Sequence, residues 1–149
     1  MTNADRIYVD PSALRRLYVH DPRSRAFCAW RMRVRGSLPV TLHGRAEIIN
    51  SICLAVFRGD IPKRVGQEAI ADLEEDFSCG RLYLVDMLWR KALLWAAELS
   101  QKHTPNLGTR TLDVLHVASA QALACRVFVT YDDRQAKLAR AARLRLLRP

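Results

Sequence analysis

Short apolar runs alternate along this chain with longer stretches of helical period. Ile7-Tyr8-Val9 is β-branched and aromatic and stops at Asp10-Pro11-Ser12, which predicts a buried strand closed by a turn. Helices are expected over about residues 13–19 and 23–35, separated by Asp21-Pro22. Leu38-Pro39-Val40-Thr41 predicts a second strand. The helix after it covers about 44–57, where Ala46, Ile49, Ile52, Cys53 and Val56 recur at helical spacing. Gly59-Asp60-Ile61-Pro62 ends it and opens another helix over 63–77. Leu82-Tyr83-Leu84-Val85 predicts the third strand, and Asp86 stands where the next helix needs an N-cap. That helix, over 87–102, is expected to turn Leu88, Ala92, Trp95 and Leu99 inward. Pro105-Asn106-Leu107-Gly108 reads as a loop, 111–124 as a strongly periodic helix, and Val127-Phe128-Val129-Thr130 as the fourth strand. A last helix over 133–142 and an edge strand over 144–147 complete the pattern.

Strands that alternate with helices call for a mostly parallel sheet covered by helices on both faces. Sites in such sheets collect beyond the carboxyl ends of the strands. Four acids fall where they can reach that edge. Asp10 directly follows the first strand, and Asp132 lies two residues past Thr130, beyond the fourth. Glu47 is placed in the first turn of the helix after the second strand, and Asp113 in the first turn of the helix before the fourth. Alone, each has a structural explanation as a turn residue, a helix cap or a partner of the helix macrodipole. Together they are harder to dismiss, because Ile7-Tyr8-Val9, Leu112, Val114 and Phe128-Val129 set them at the edge of a core.

Carboxylates brought this close repel one another, by about 1 kcal/mol per pair at 4 Å in water and about 4 at an effective dielectric of 20. Such a group must hold protons or hold a cation. Oxygen ligands alone select a hard ion, Mg²⁺ or Mn²⁺, and Mg²⁺ pairs naturally with a substrate phosphate. Two such ions about 4 Å apart suit an in-line displacement at phosphorus.

Composition narrows the field. The 149 residues are half hydrophobic and 26% charged, a globular balance read as one domain spanning 1–149. No apolar run approaches a membrane span and the N-terminus carries no signal-like stretch, so a soluble, cytoplasmic protein is expected. Cys28, Cys53, Cys79 and Cys125 are scattered without a C-x-x-C pair, which argues against a zinc ribbon and for reduced, mostly buried thiols. The net charge is +9, concentrated at Arg15, Arg16, Arg23, Arg25, Arg31, Arg33 and Arg35 and again between Arg134 and Arg148. Clusters of this kind attract phosphate backbones, although a solvated helix face looks the same in sequence. Trp30, beside Arg31 and Arg33, is the tryptophan best placed to stack on a base, whereas Trp89 and Trp95 are expected in the core.

Tyr8-Val9-Asp10-Pro11-Ser12, Ala46-Glu47-Ile48, Arg110 to Ala120 and Phe128-Val129-Thr130-Tyr131-Asp132 resemble, in order, the motifs of PIN domains. The likeness is greatest to VapC-type toxins of toxin–antitoxin pairs, and it runs from Ile7 to about Leu147. It implies a three-layer α/β/α fold with a central, mostly parallel sheet. It also implies a Mg²⁺- or Mn²⁺-dependent endoribonuclease in which water attacks an RNA phosphodiester. Asp10, Glu47, Asp113 and Asp132 match the family's four catalytic and metal-binding acids, and Ser12 and Thr130 match its small polar residues. A cognate antitoxin and a homodimer are implied as partners, with no membrane. Asp133 is an alternative to Asp132; the T-x-D spacing favours Asp132. His116 follows Asp113 by three residues and can orient it, or can be a satisfied core histidine.

The same residues bear on rival functions. An aspartate-nucleophile phosphatase needs an acid two residues after Asp10, and Ser12 stands there. A dinucleotide or P-loop site needs a glycine-rich turn, which is absent. A silent RNA- or protein-binding PIN-like module, or an RNA-processing nuclease outside a toxin–antitoxin pair, stays as an alternative.

Overall fold

The computed structural model describes residues 4–149. Its elements are β1 (Ile7–Val9), α1 (Pro11–Leu14), α2 (Ser24–Arg33), β2 (Leu38–Val40), α3 (Leu42–Phe57) and α4 (Lys63–Ser78). β3 (Leu82–Leu84), α5 (Trp89–Leu107), α6 (Thr111–Ala122), β4 (Val127–Val129), α7 (Asp133–Ala141) and β5 (Arg145–Leu147) follow. All strand pairs are parallel: β1 with β4, β4 with β5, and β2 with β3. β2 lies beside β1, so the strands run β3-β2-β1-β4-β5 across the molecule, with a break in the ladder between β2 and β1.

The period of two along the strands divides the core into two halves. Ile7, Val9, Val127 and Val129 face one side, where Phe27 and Trp30 of α2, Ile48 and Ile52 of α3 and Leu73 of α4 cover them. Tyr8 and Phe128 face the other, packed by Val114 and Val117 of α6 and Leu138 of α7. This is the three-layer α/β/α arrangement with a parallel centre. Burial on both faces explains why these strands read as continuous apolar runs. On the first side α4 approaches α3 so closely at Gly66 that a Cβ there would lie 2.5 Å from Val56 Cγ2.

Several elements differ from expectation, each for a local reason. The stretch expected as one helix over 13–19 is a single α-turn, started by Asp10 and followed by a 3-10 turn at Arg15–Leu17. α3 begins at Leu42 because the Thr41 hydroxyl accepts from Gly44 N at 3.0 Å, which puts Glu47 in the second turn rather than the first. Asp86 is not a helix cap: it accepts from the adjacent Met87 N at 2.9 Å, and α5 starts only at Trp89. Met87 is the residue that turns inward there, and Leu88 is left 67% exposed. α5 also runs through Pro105, because a proline in the last turn removes one donor without halting the chain. Gly108, at φ +64°, ends it and donates to Thr104 O at 2.8 Å.

The tryptophans exchange roles. Trp30 is buried against Phe27, at 5.3 Å between ring centres, and belongs to the core instead of a substrate surface. Trp89 is partly exposed and meets His43 edge-on, while Trp95 is half-buried under the Lys91 ammonium. None of the four cysteines is in a disulfide, only Cys125 is buried, and Cys53 and Cys79 lie in the open. Among the described residues no helix is long and apolar enough to cross a membrane.

Candidate active site

β1 and β4 deliver two of the acids to the same edge. Asp10 N continues the ladder by bonding Val129 O at 2.9 Å, so the two strands end in step. The Asp10 side chain is only 4% exposed. Its Oδ2 accepts from Ser12 N at 3.2 Å and from the Ser12 hydroxyl, and its Oδ1 accepts from Gln135 Nε2 at 3.0 Å. Asp132 caps α7, accepting from Gln135 N at 2.8 Å, while its own N donates to Thr130 Oγ1 at 3.1 Å. Asp133 turns away to an ion pair with Arg148 at 2.7 Å and is exposed. Asp113 is the third residue of α6 and takes a long 3.4 Å bond from Arg110 N.

Gln135 joins three of these acids. It is fully buried in the first turn of α7. Its Nε2 donates to Asp10 Oδ1 and, at 3.4 Å, to the Asp113 carbonyl, while Thr130 Oγ1 donates to its Oε1 at 2.7 Å. The orientation of the amide follows from chemistry, because a carboxylate can only accept and the NH₂ must face Asp10. With its backbone N on Asp132, one residue ties Asp10, Asp113 and Asp132 together.

Glu47 is held from the opposite side. Its Oε2 lies 2.6 Å from His116 Nε2, and His116 Nδ1 lies 2.7 Å from Tyr8 Oη. Burial pushes the Tyr8 phenol well above its usual range, so it remains a donor. A carboxylate can only accept, so His116 Nε2 donates to Glu47, and Nδ1 shares a hydrogen bond with the Tyr8 hydroxyl. Among the described residues His116 thus orients Glu47 and not Asp113, the partner expected from spacing. His43 stacks on His116 at 4.9 Å between ring centres; burial, and then His116, lowers its pKa to about 4, so it is neutral at physiological pH.

The carboxylates sense one another. Burial raises the Asp10 carboxyl above its ordinary value, with a smaller contribution from Glu47, while His116, Ser12 and Gln135 oppose the shift. Burial likewise raises Asp113, and both Asp10 and Asp132 add to it. The donor set is all oxygen and carries excess negative charge, which fits a hard divalent cation. Among the described residues no group of three His, Cys, Asp or Glu side chains is arranged to hold a metal ion. Mg²⁺ does not require such a group, since it keeps several waters and commonly takes one or two carboxylates.

The PIN domain family model matches residues 7–141, which includes every acid named above. The chain belongs to the PIN-domain family. It is also 29% identical over 145 residues to Ribonuclease VapC46 of Mycobacterium tuberculosis, an alignment that covers 96% of this chain and 97% of that protein.

Within this PIN domain, three residues of the site escaped sequence reasoning. Gln135 carried a usable signal, since Asp132-x-x-Gln135 has the spacing of a capping box. The side chain reaches Asp10 instead of the cap. Tyr8 reads as a strand residue and His43 falls just before the helix expected from 44, and only the tertiary packing brings both against His116.

Proposed function

We propose that this PIN domain is a divalent-metal-dependent endoribonuclease that hydrolyses RNA phosphodiester bonds through Asp10, Glu47, Asp113 and Asp132. The observation that carries it is the tie through Gln135 of Asp10, Asp113 and Asp132 at the carboxyl edge of the sheet. The ribonuclease named among its relatives, aligned over nearly the whole chain, supports RNA as substrate. We extend the reading to the toxin of a toxin–antitoxin pair, acting as a homodimer in the cytoplasm under control of a cognate antitoxin.

Hydrolysis adds water across one P–O bond, and the departing oxygen takes up a proton. When bound, Mg²⁺ or Mn²⁺ supplies Lewis-acid stabilisation of the charge on the phosphoryl oxygens and makes water a better nucleophile. The chain supplies position. Ser12 and Gln135 fix Asp10 in one orientation from both of its oxygens, and His116 fixes Glu47. A carboxylate held in this way needs no reorganisation when the phosphate arrives. The surplus of basic residues offsets the charge of the strand.

The test is incubation of the purified protein with a pool of structured RNAs, in Mn²⁺ or in excess chelator, over a range of salt. Cleavage is expected in Mn²⁺ alone and should fall as salt screens the phosphate contacts. Undiminished cleavage in chelator would rule the mechanism out. His116→Leu is expected to lower the cleavage rate about 10- to 100-fold, as loss of an outer hydrogen-bonding partner does. A well-folded His116→Leu protein with normal turnover would show that Glu47 needs no such support.

A further inference from the structure

Three of the seven early arginines, Arg16, Arg23 and Arg31, are engaged within the fold. Arg16 Nη1 donates to Ser12 O at 2.7 Å, and its Nε lies 3.0 Å from Asp21 Oδ2 in an ion pair rather than an aligned hydrogen bond. Arg16 and Arg23 both lie over the Tyr131 ring, at 4.4 and 4.9 Å. Arg31 donates to the carbonyls of Val34, Gly36 and Arg81. Arg15 differs. Its Nε is buried without a hydrogen-bond partner, as is that of Arg16, but among the described residues no carboxylate pairs with Arg15 as Asp21 does with Arg16. A charged donor withheld from water without an acceptor is costly, which makes it a position where a ligand gains.

Arg15 borders a cleft of about 190 Å³, with Ser12, Arg16, Asp21, Glu47 and Ser51 among the other lining residues. Arg16 is paired there with Asp21, and Glu47 is hydrogen-bonded to His116. Asp21 is further held by Arg23 N at 2.8 Å. The Ser12 hydroxyl is committed to Asp10 and the Ser51 hydroxyl to Ile48 O. The cation of the cleft left without a carboxylate is therefore the Arg15 guanidinium, so the ligand it takes is an anion. Ser12 and Glu47 belong to both the cleft and the acid site, so an anion at Arg15 sits next to whatever the acids hold.

We infer that Arg15 and this cleft form a phosphate-binding subsite, which holds an RNA phosphodiester adjacent to the one being cleaved. The inference rests on the ribonuclease reading and deepens it. A guanidinium presents a planar fork of donors to the two non-bridging oxygens of a phosphodiester, a match that an ammonium makes only as a point charge. The site places the strand by its backbone and reads no base.

The experiment measures binding of a fluorescent single-stranded RNA to Asp10→Asn protein in Mg²⁺, by anisotropy, across a salt series. Adding Arg15→Gln is expected to weaken binding about tenfold and to reduce the slope of log affinity against log salt by about one. Arg33→Gln removes an equal charge from an exposed position on α2 outside the cleft. It should change affinity less than about twofold, the difference expected between an engaged and a merely nearby charge. Arg15→Lys should recover part of the loss. Equal, small effects of Arg15→Gln and Arg33→Gln, with RNA still cleaved by the wild type, would overturn the subsite and leave the nuclease standing. The same equality, with a weakened grip on an acidic partner protein, would assign Arg15 to a protein carboxylate instead. No RNA binding by the parent protein would overturn the subsite together with the ribonuclease reading.

Discussion

Asp10→Asn is expected to lower cleavage by more than about a hundredfold, beyond the usual cost of losing an outer partner, while the metal-free protein stays folded. Asn keeps the size of Asp but removes the negative charge. One of the bonds to Ser12 or Gln135 is lost, because the new NH₂ cannot accept, at a cost of about 1 kcal/mol. Against that, burial holds the wild-type carboxyl above its ordinary 3.8. The folded state therefore binds this proton more tightly than the unfolded chain does. The stability contributed by the group is fully present below the unfolded value and is lost as pH rises through the raised folded value. Asn has no such loss. In chelator, the melting temperature of the wild type should gain on that of Asp10→Asn as pH is lowered from 8 towards 4. A gap that moves the other way would mean that the carboxylate, not its acid, is what the apo fold favours. Added Mn²⁺ should raise the melting temperature of the wild type more than that of the variant, because only binding to the folded state stabilises it.

Gln135→Leu is the second large effect. Leu fills similar space but leaves Asp10 Oδ1 without its donor and the Thr130 hydroxyl without its acceptor. Each unsatisfied buried group costs about 1–3 kcal/mol. The bond from the backbone N of residue 135 to Asp132 survives, so α7 keeps its cap. Cleavage should fall about 10- to 100-fold as Asp10 loses its fixed orientation. Mn²⁺ affinity, measured by calorimetry below the melting transition, should fall with it, which a purely structural role would not produce. Gln135→Glu separates shape from charge. It preserves an acceptor for Thr130 but sets a carboxylate against Asp10, so it too should lose activity at neutral pH. Normal Mn²⁺ affinity and turnover in folded Gln135→Leu protein would remove this residue from the site.

The sequence exposed what local chemistry determines. β1 and β4 are buried on both faces, so each is an unbroken apolar run, and the acids that end them stand out. Asp10 and Asp132 were legible because strand ends and helix caps fix their positions within a few residues. Glu47 and Asp113 were legible as helix-start acids, though Thr41 moved the start of α3 by about half a turn. What remained hidden depends on contacts distant in sequence. Tyr8 meets His116 and Gln135 meets Asp10 across more than a hundred residues, and no periodicity encodes such a meeting. A buried glutamine on the inner face of α7 contradicts the amphipathic pattern that identifies the helix. Trp30 stands beside two arginines in the chain, yet the helix turns it into the core. The C-terminal limit of α5 was hidden because a proline ordinarily marks a break, whereas here the left-handed Gly108 ends the helix.

In the proposed function Asp10, Glu47, Asp113 and Asp132 act as one metal-dependent site. The most direct measurement is single-turnover cleavage of one RNA in Mn²⁺ by the wild type and by Asp10→Asn, Glu47→Gln, Asp113→Asn and Asp132→Asn. Folding of each protein is checked by its melting curve. All four variants are expected to lose cleavage, Asp10→Asn most completely, and the wild type to lose it in chelator. Wild-type turnover by a well-folded Asp10→Asn protein would contradict the account.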